Sequence, residues 1–221
     1  MRLPYHLLCC AIAIAAVAGG GGCNALLGIE DVVPQRTLTL SQTDSQSITR
    51  GMHCGDASGY TLENSFYRRF SLADYGAIDG FTVKSVEFGV YLTSSGVASQ
   101  GQPLGIYIYN DASPASPTID LSRLQQRGMV NVAIPDTATP KGLRYEFNPA
   151  VAVPGPGLVV ELRVAATAQP MRKLEIGANL QPQAASAFRR APACGDEVPV
   201  ALDTIPNYAM AALVLSVTGD N

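Results

Sequence analysis

The feature that most limits what this chain can become is the alternation in GFTVKSVEFGVYL, residues 80–92. Val86, Phe88, Val90 and Leu92 fall on one side of an extended backbone, and Glu87, Gly89 and Tyr91 on the other. Period-two patterning makes a half-buried strand, because successive side chains of a strand point to opposite faces. Phe81 and Val83 are out of phase with that set. An extra residue near Lys84 and Ser85 restores the phase, which predicts a bulge or bend in a strand that crosses between two sheets.

The same alternation recurs at Leu104-Ile106-Ile108, Val130-Val132-Ile134, Leu158-Val160-Leu162-Val164, Leu174-Ile176 and Leu213-Leu215-Val217. Segments 37–40, 66–70, 119–125 and 143–147 are further candidates, which makes about nine or ten strands. Glycine and proline punctuate these runs, as in PGPG at 154–157, and the polar, proline-rich DASPASP at 111–117 reads as a surface loop. One short helix is predicted around residues 121–127. No sustained period of 3.6 competes, so the economical fold is all-β: a two-sheet antiparallel β-sandwich of jelly-roll type in one domain, residues 37–221.

Ahead of that body stands an apolar run, LLCCAIAIAAVA at 7–18, preceded by Arg2 and followed by Gly19 to Gly22. It has the length of a secretory h-region and is shorter than the roughly 20 apolar residues of a spanning helix. Residues 1–22 are therefore expected to be a signal peptide. Small residues closed by Cys23 resemble the lipobox of bacterial lipoproteins, with Gly20 where an aliphatic residue is usual. The resemblance implies acylation of Cys23 as the new N-terminus, with residues 23–36 as a tether. Asn24, in place of an aspartate, implies the outer membrane, with the lipid as the membrane contact. Cleavage after Ala16-Val17-Ala18 is the alternative and would release a soluble protein.

Cys9 and Cys10 leave with such a leader, and Cys23, Cys54 and Cys194 remain. If Cys23 carries lipid, Cys54 and Cys194 form an even set that can pair in an oxidising compartment. Chain entropy assigns a loop of that size about 5 kcal/mol as an upper figure. The competing expectation is two buried free thiols.

Charged residues make up 15% of the chain, and losing Arg2 would make the formal net charge of −3 one unit more negative. Lysine occurs only at Lys84, Lys141 and Lys173, so the basic patch a nucleic acid needs is missing and that partner is excluded. The doublets Arg68-Arg69 and Arg189-Arg190 read as solvated strand or loop faces.

ENSFYRRFSL (63–72), GFTVKSVEFGVYL (80–92), VPGPGLVVEL (153–162) and IPNYAMAALVLSVTG (205–219) resemble β-sandwich modules of secreted bacterial proteins, often found beside adhesive or matrix-type domains. The resemblance implies an extracellular, non-enzymatic binding or structural module, and transfers no catalytic residue onto this chain.

Read for chemistry, the body offers little. Past the leader, His53 is the one histidine, and it adjoins Cys54; no G-x-S-x-G elbow and no H-E-x-x-H pair occurs. Glu87, Glu161 and Glu175 fall at outward strand positions. Two of them across a cleft would suit a surface hydrolase, and the plainer expectation is solvated polar positions. Asp56, Glu63 and Asn64 are candidate ligands for a structural calcium ion, against turn capping by the same side chains. No other cofactor is expected. Tyr107 and Tyr109 share one strand face while Ile106 and Ile108 enter the core, and Tyr91 could join them if the strands are neighbours. Such rings could seat a glycan or an envelope protein. A subunit role in an envelope assembly is the remaining alternative.

Overall fold

A computed structural model describes residues 35–95, 101–165 and 172–221. The leader, Cys23 and the tether as far as residue 34 lie outside the described residues. In chain order the strands are β1 (Thr37–Ser41), β2 (Arg50–Met52), β3 (Asn64–Ser71), β4 (Phe81–Ser94), β5 (Gln102–Asp111), β6 (Gln125–Ile134) and β7 (Lys141–Val153). There follow β8 (Gly157–Val164), β9 (Lys173–Asn179), β10 (Phe188–Ala191), β11 (Asp196–Ala201), β12 (Ala212–Leu213) and β13 (Leu215–Asp220). They build two antiparallel sheets. The larger, seven-stranded sheet runs β1-β13-β4-β9-β12, with β2 paired to β9 and β7 to β4; the smaller, six-stranded sheet runs β11-β10-β3-β8-β5-β6. The chain is an all-β sandwich, and residues 36–221 form one unit.

Alternation supplies the core. Phe66 and Phe70 from β3, Ile106 and Ile108 from β5, and Val160 and Leu162 from β8 meet Val86, Phe88 and Val90 from β4, Ile176 from β9 and Val217 from β13. All are buried, and full burial of side chains of this size favours folding by about 1.5 to 3 kcal/mol each. Cys54, just after β2, is bonded to Cys194 in a 3₁₀ turn after β10, with a Cα separation of 6.1 Å. The cross-link closes a span of 140 residues and is of the kind that persists in oxidising compartments.

The phase break in β4 takes the form of a register shift. Val83 faces Val151 and the next paired residue, Ser85, faces Glu146. Phe81 and Val83 are thereby buried together with Val86, Phe88 and Val90. The strand does not change sheets, however: over its 14 residues β4 stays in the larger sheet. A second shift between Val90 and Leu92 turns Thr93 inward and leaves Leu92 half-buried. Segment 119–125 is not a strand, and no helix spans 121–127. The Asp120 carboxylate accepts from the Ser122 amide at 3.0 Å, which caps a 3₁₀ turn at Leu121–Arg123, and β6 starts at Gln125.

The arginine doublets are not solvated faces. Arg68 shares parity with Phe66 and Phe70 and points between the sheets, fully buried. It donates to Gln183 Oε1 and the Ala185 carbonyl at 2.9 Å each and to the Leu213 carbonyl at 2.5 Å, so a cation ties β3 to β12. Its Nε has no partner among the described residues, and burial lowers the guanidinium to about 9, still cationic at neutral pH. Arg69, on the opposite face, donates to the Thr118 and Ser116 carbonyls, pairs with Asp111 and lies 5.4 Å from the Phe188 ring centre. Arg189 pairs with Asp196 and packs on Tyr208, and Arg190 pairs with Glu63 at 2.8 Å.

Candidate functional site

Antiparallel register places Tyr107 of β5, Glu161 of β8 and Tyr67 of β3 side by side across the outer face of the smaller sheet. Period two directs all three away from the core. The loop after β5 and the 3₁₀ turn at Leu121–Arg123 then fold back over this face, where Ile119 and Leu124 pack with Tyr67, Val159 and Phe188 in a second apolar cluster. Glu161 is consequently 1% exposed although it faces outward. It is not the solvated position that its alternation implies.

A buried carboxylate needs hydrogen bonds to hold its charge. Arg163, two residues along β8, supplies a fork, with Nε 2.8 Å from one carboxylate oxygen and a terminal nitrogen 2.8 Å from the other. Tyr109 donates at 2.7 Å and Tyr67 at 3.1 Å. Burial pushes the Glu161 carboxyl up, but the hydrogen bonds from Arg163, Ser65 and Tyr109 and the charge of Arg163 outweigh it and hold the carboxyl below its ordinary range. Burial first, with help from the Glu161 charge and hydrogen bond, raises both tyrosine hydroxyls. Bonding to Glu161 raises Arg163 in turn. The cluster is thus locked as an anion, a cation and neutral phenols at physiological pH.

Tyr107 and Tyr109 stack with ring centres 6.2 Å apart and planes at 16°. They do not form a bare platform, because the Arg163 guanidinium lies 4.1 Å over the Tyr107 ring. Gly105 makes room for this, since a Cβ there would stand 2.5 Å from the Tyr107 ring. Tyr91 is not part of the group. It belongs to β4 in the other sheet, and its ring lies against Gly51.

Beside the cluster is a hollow of about 370 Å³, within the size range of small-molecule sites. Its lining combines the polar group of Glu161, Tyr67, Tyr109 and Arg163 with apolar Leu121 and Leu124 and with the Glu63–Arg190 ion pair. A second hollow, of about 660 Å³, borders Arg69 and Asp203, but Arg69 is occupied by backbone carbonyls and Asp203 accepts from Ser186.

The remaining candidates are scattered. Glu87 and Glu175 sit on the larger sheet, so the sandwich separates them from Glu161 and no cleft brings either to it. Glu175 lies 3.0 Å from Lys173 Nζ and 3.8 Å from His53 Nδ1. Burial lowers the His53 imidazole, against the pull of Glu175 and with the push of Lys173 and Arg189. Asp56 accepts from the amides of Ser58 and Tyr60, Glu63 holds Arg190, and Asn64 is buried between the Cys54 amide and the Leu62 carbonyl. Each of the three calcium candidates is thus engaged by a protein partner, and among the described residues no group of three or more His, Cys, Asp or Glu side chains could hold a metal ion. No helix among the described residues is long and apolar enough to cross a membrane.

Compared with family models, with curated proteins and with solved structures, the chain matches none.

Proposed function

We propose that this chain is an exported lipoprotein, anchored at Cys23, whose sandwich binds a neutral glycan in the hollow beside Glu161 and performs no catalysis. The observation that carries the reading is the charge pattern of the hollow. Each arginine there is matched by a glutamate, Arg163 by Glu161 and Arg190 by Glu63, so no net field selects a charged ligand. Donors and acceptors of both kinds surround apolar Leu121, Leu124 and the Tyr109 ring, which suits a ring bearing hydroxyls on one side and C–H groups on the other.

A hydrolase is the less favoured reading. A glycosidase acid must carry a proton near neutral pH, whereas the Arg163 fork and the tyrosine hydroxyls favour the ionised form of Glu161. The anchor rests on the sequence of residues 7–23, and the disulfide agrees with export.

Two experiments test the proposal. On an array of neutral and acidic oligosaccharides, the wild-type chain should retain neutral glycans and Arg190→Ala should lose them; silence of the wild type on every glycan at millimolar concentration rejects the site. Metabolic labelling with a fatty-acid analogue should mark the wild type and not Cys23→Ser. Equal labelling, or none in either, rejects the anchor.

A further inference from the structure

One flank of the sandwich is open among the described residues. Among the described residues β6 pairs only with β5, and β7 only with β4, so both are edges, and they approach one another where Arg127 Nε donates to the Ala152 carbonyl at 3.3 Å. Between them the core is incompletely covered: Val130, Val132, Leu143, Tyr145 and Val151 pack against it yet remain partly exposed. An edge strand offers unpaired N–H and C=O groups to another strand, and folds usually blunt such edges by shortness, proline or charge. β1 has only five residues, and β11 carries Asp196, Glu197 and Pro199. β7 keeps a regular ladder against β4 from Lys141 to Glu146, and Pro149 then ends the run of donors.

The sequence of that edge is symmetric in chemistry. In Leu143-Arg144-Tyr145-Glu146-Phe147, the charged side chains are exposed and the three apolar ones face inward. Laid antiparallel on a second copy of itself about a two-fold axis through Tyr145, the strand sets each Arg144 opposite a Glu146 and each Leu143 opposite a Phe147. Opposed residues of an antiparallel pair share a face, so this register keeps charges outside and apolar groups inside. Within one chain Arg144 and Glu146 already meet at 2.7 Å, both about half exposed. A second copy offers them equivalent partners across the axis. β6 carries only Arg127 and no such symmetry.

We propose that the β6/β7 flank is a homodimer interface, in which β7 pairs antiparallel with β7 of a second copy about Tyr145 and the open seam of the core is covered. The inference is independent of the glycan reading. The discriminating observation is a charge swap. Two differently tagged full-length copies are co-expressed, extracted in mild detergent and recovered through one tag, with circular dichroism as the control for folding. Wild-type copies should be recovered together. Arg144→Glu with itself places like charges across the axis, as does Glu146→Arg with itself, and each should weaken association by about ten-fold or more. Arg144→Glu mixed with Glu146→Arg restores both opposed pairs and should recover co-purification, as should the double swap with itself. Wild-type copies that never co-purify overturn the proposal. Association that ignores the swaps, or a different protein recovered in place of the second copy, also overturns it.

Discussion

Each sheet of the sandwich turns one buried glutamate outward, and the two are handled differently. Glu161, on the smaller sheet, is enclosed by a loop and bonded to an arginine fork and two phenols. Glu175, on the larger sheet, is 8% exposed and has a lysine at 3.0 Å and a histidine at 3.8 Å, both with partly solvated side chains. The first arrangement is directional and fixes ring and guanidinium positions around a hollow. The second has fewer donors and leaves its partners open to solvent, while the fixed element beside it is covalent, since Cys54 follows His53 and is bonded to Cys194. The same residue type at the same kind of strand position gathers a converging set of hydroxyl and guanidinium donors only under the loop that folds over the smaller sheet.

The largest effect should separate covalent from hydrogen-bonded support. Reducing the disulfide, or replacing both cysteines by serine, should cost about 4 kcal/mol in urea unfolding. Hydrogen exchange should then rise around residues 53–55 before it rises around residues 159–163. Uniform loss of protection would show that the two regions share one support.

Next in size is Glu161→Ala, which leaves Arg163 and two tyrosine hydroxyls without their acceptor and should cost about 3 kcal/mol. Glu175→Ala, whose partners reach solvent, should cost under about 1 kcal/mol in the same assay. Equal losses would erase the contrast.

Acid titration sharpens it further. The Glu161 carboxyl is depressed in the fold, so its contribution is present above the ordinary carboxylate range and is lost as pH falls through and below that range. Glu161→Gln should flatten that part of the stability curve. His53 is also depressed. The unfolded chain therefore binds the imidazole proton more readily, and stability should fall as pH drops from neutral through the ordinary histidine range. His53→Gln should remove that earlier loss and leave the later one intact.

A change of about 1 kcal/mol, well below that of Glu161→Ala, is expected of Gly105→Ala, since the new methyl group displaces the Tyr107 ring from beneath Arg163. Quenching of tyrosine fluorescence on addition of a glycan would report whether that displacement reaches the hollow.

Much of this was legible in the chain. The alternation in 80–92 identified β4 and its bulge, and the parity of Phe66 and Phe70 carried a signal for Arg68 that its charge obscured: a residue between two inward phenylalanines also points inward. The pairing of Cys54 with Cys194 was expected on the condition that a leader is removed and Cys23 carries lipid, and the bond is present. Glu161 was legible as outward, but its burial was not, because the enclosing loop is distant in sequence and its effect depends on how it packs.

Local chemistry determined the all-β character, the alternation of core and surface, and the turns, because these depend on side-chain direction at neighbouring positions. Register across strands, the choice of which outward residues are covered, and the meeting of Tyr67, Tyr109, Glu161 and Arg163 were decided only by the tertiary structure. Hydrogen bonding and desolvation act between residues that the chain holds up to about a hundred positions apart, and a one-residue change in register would have dispersed all four.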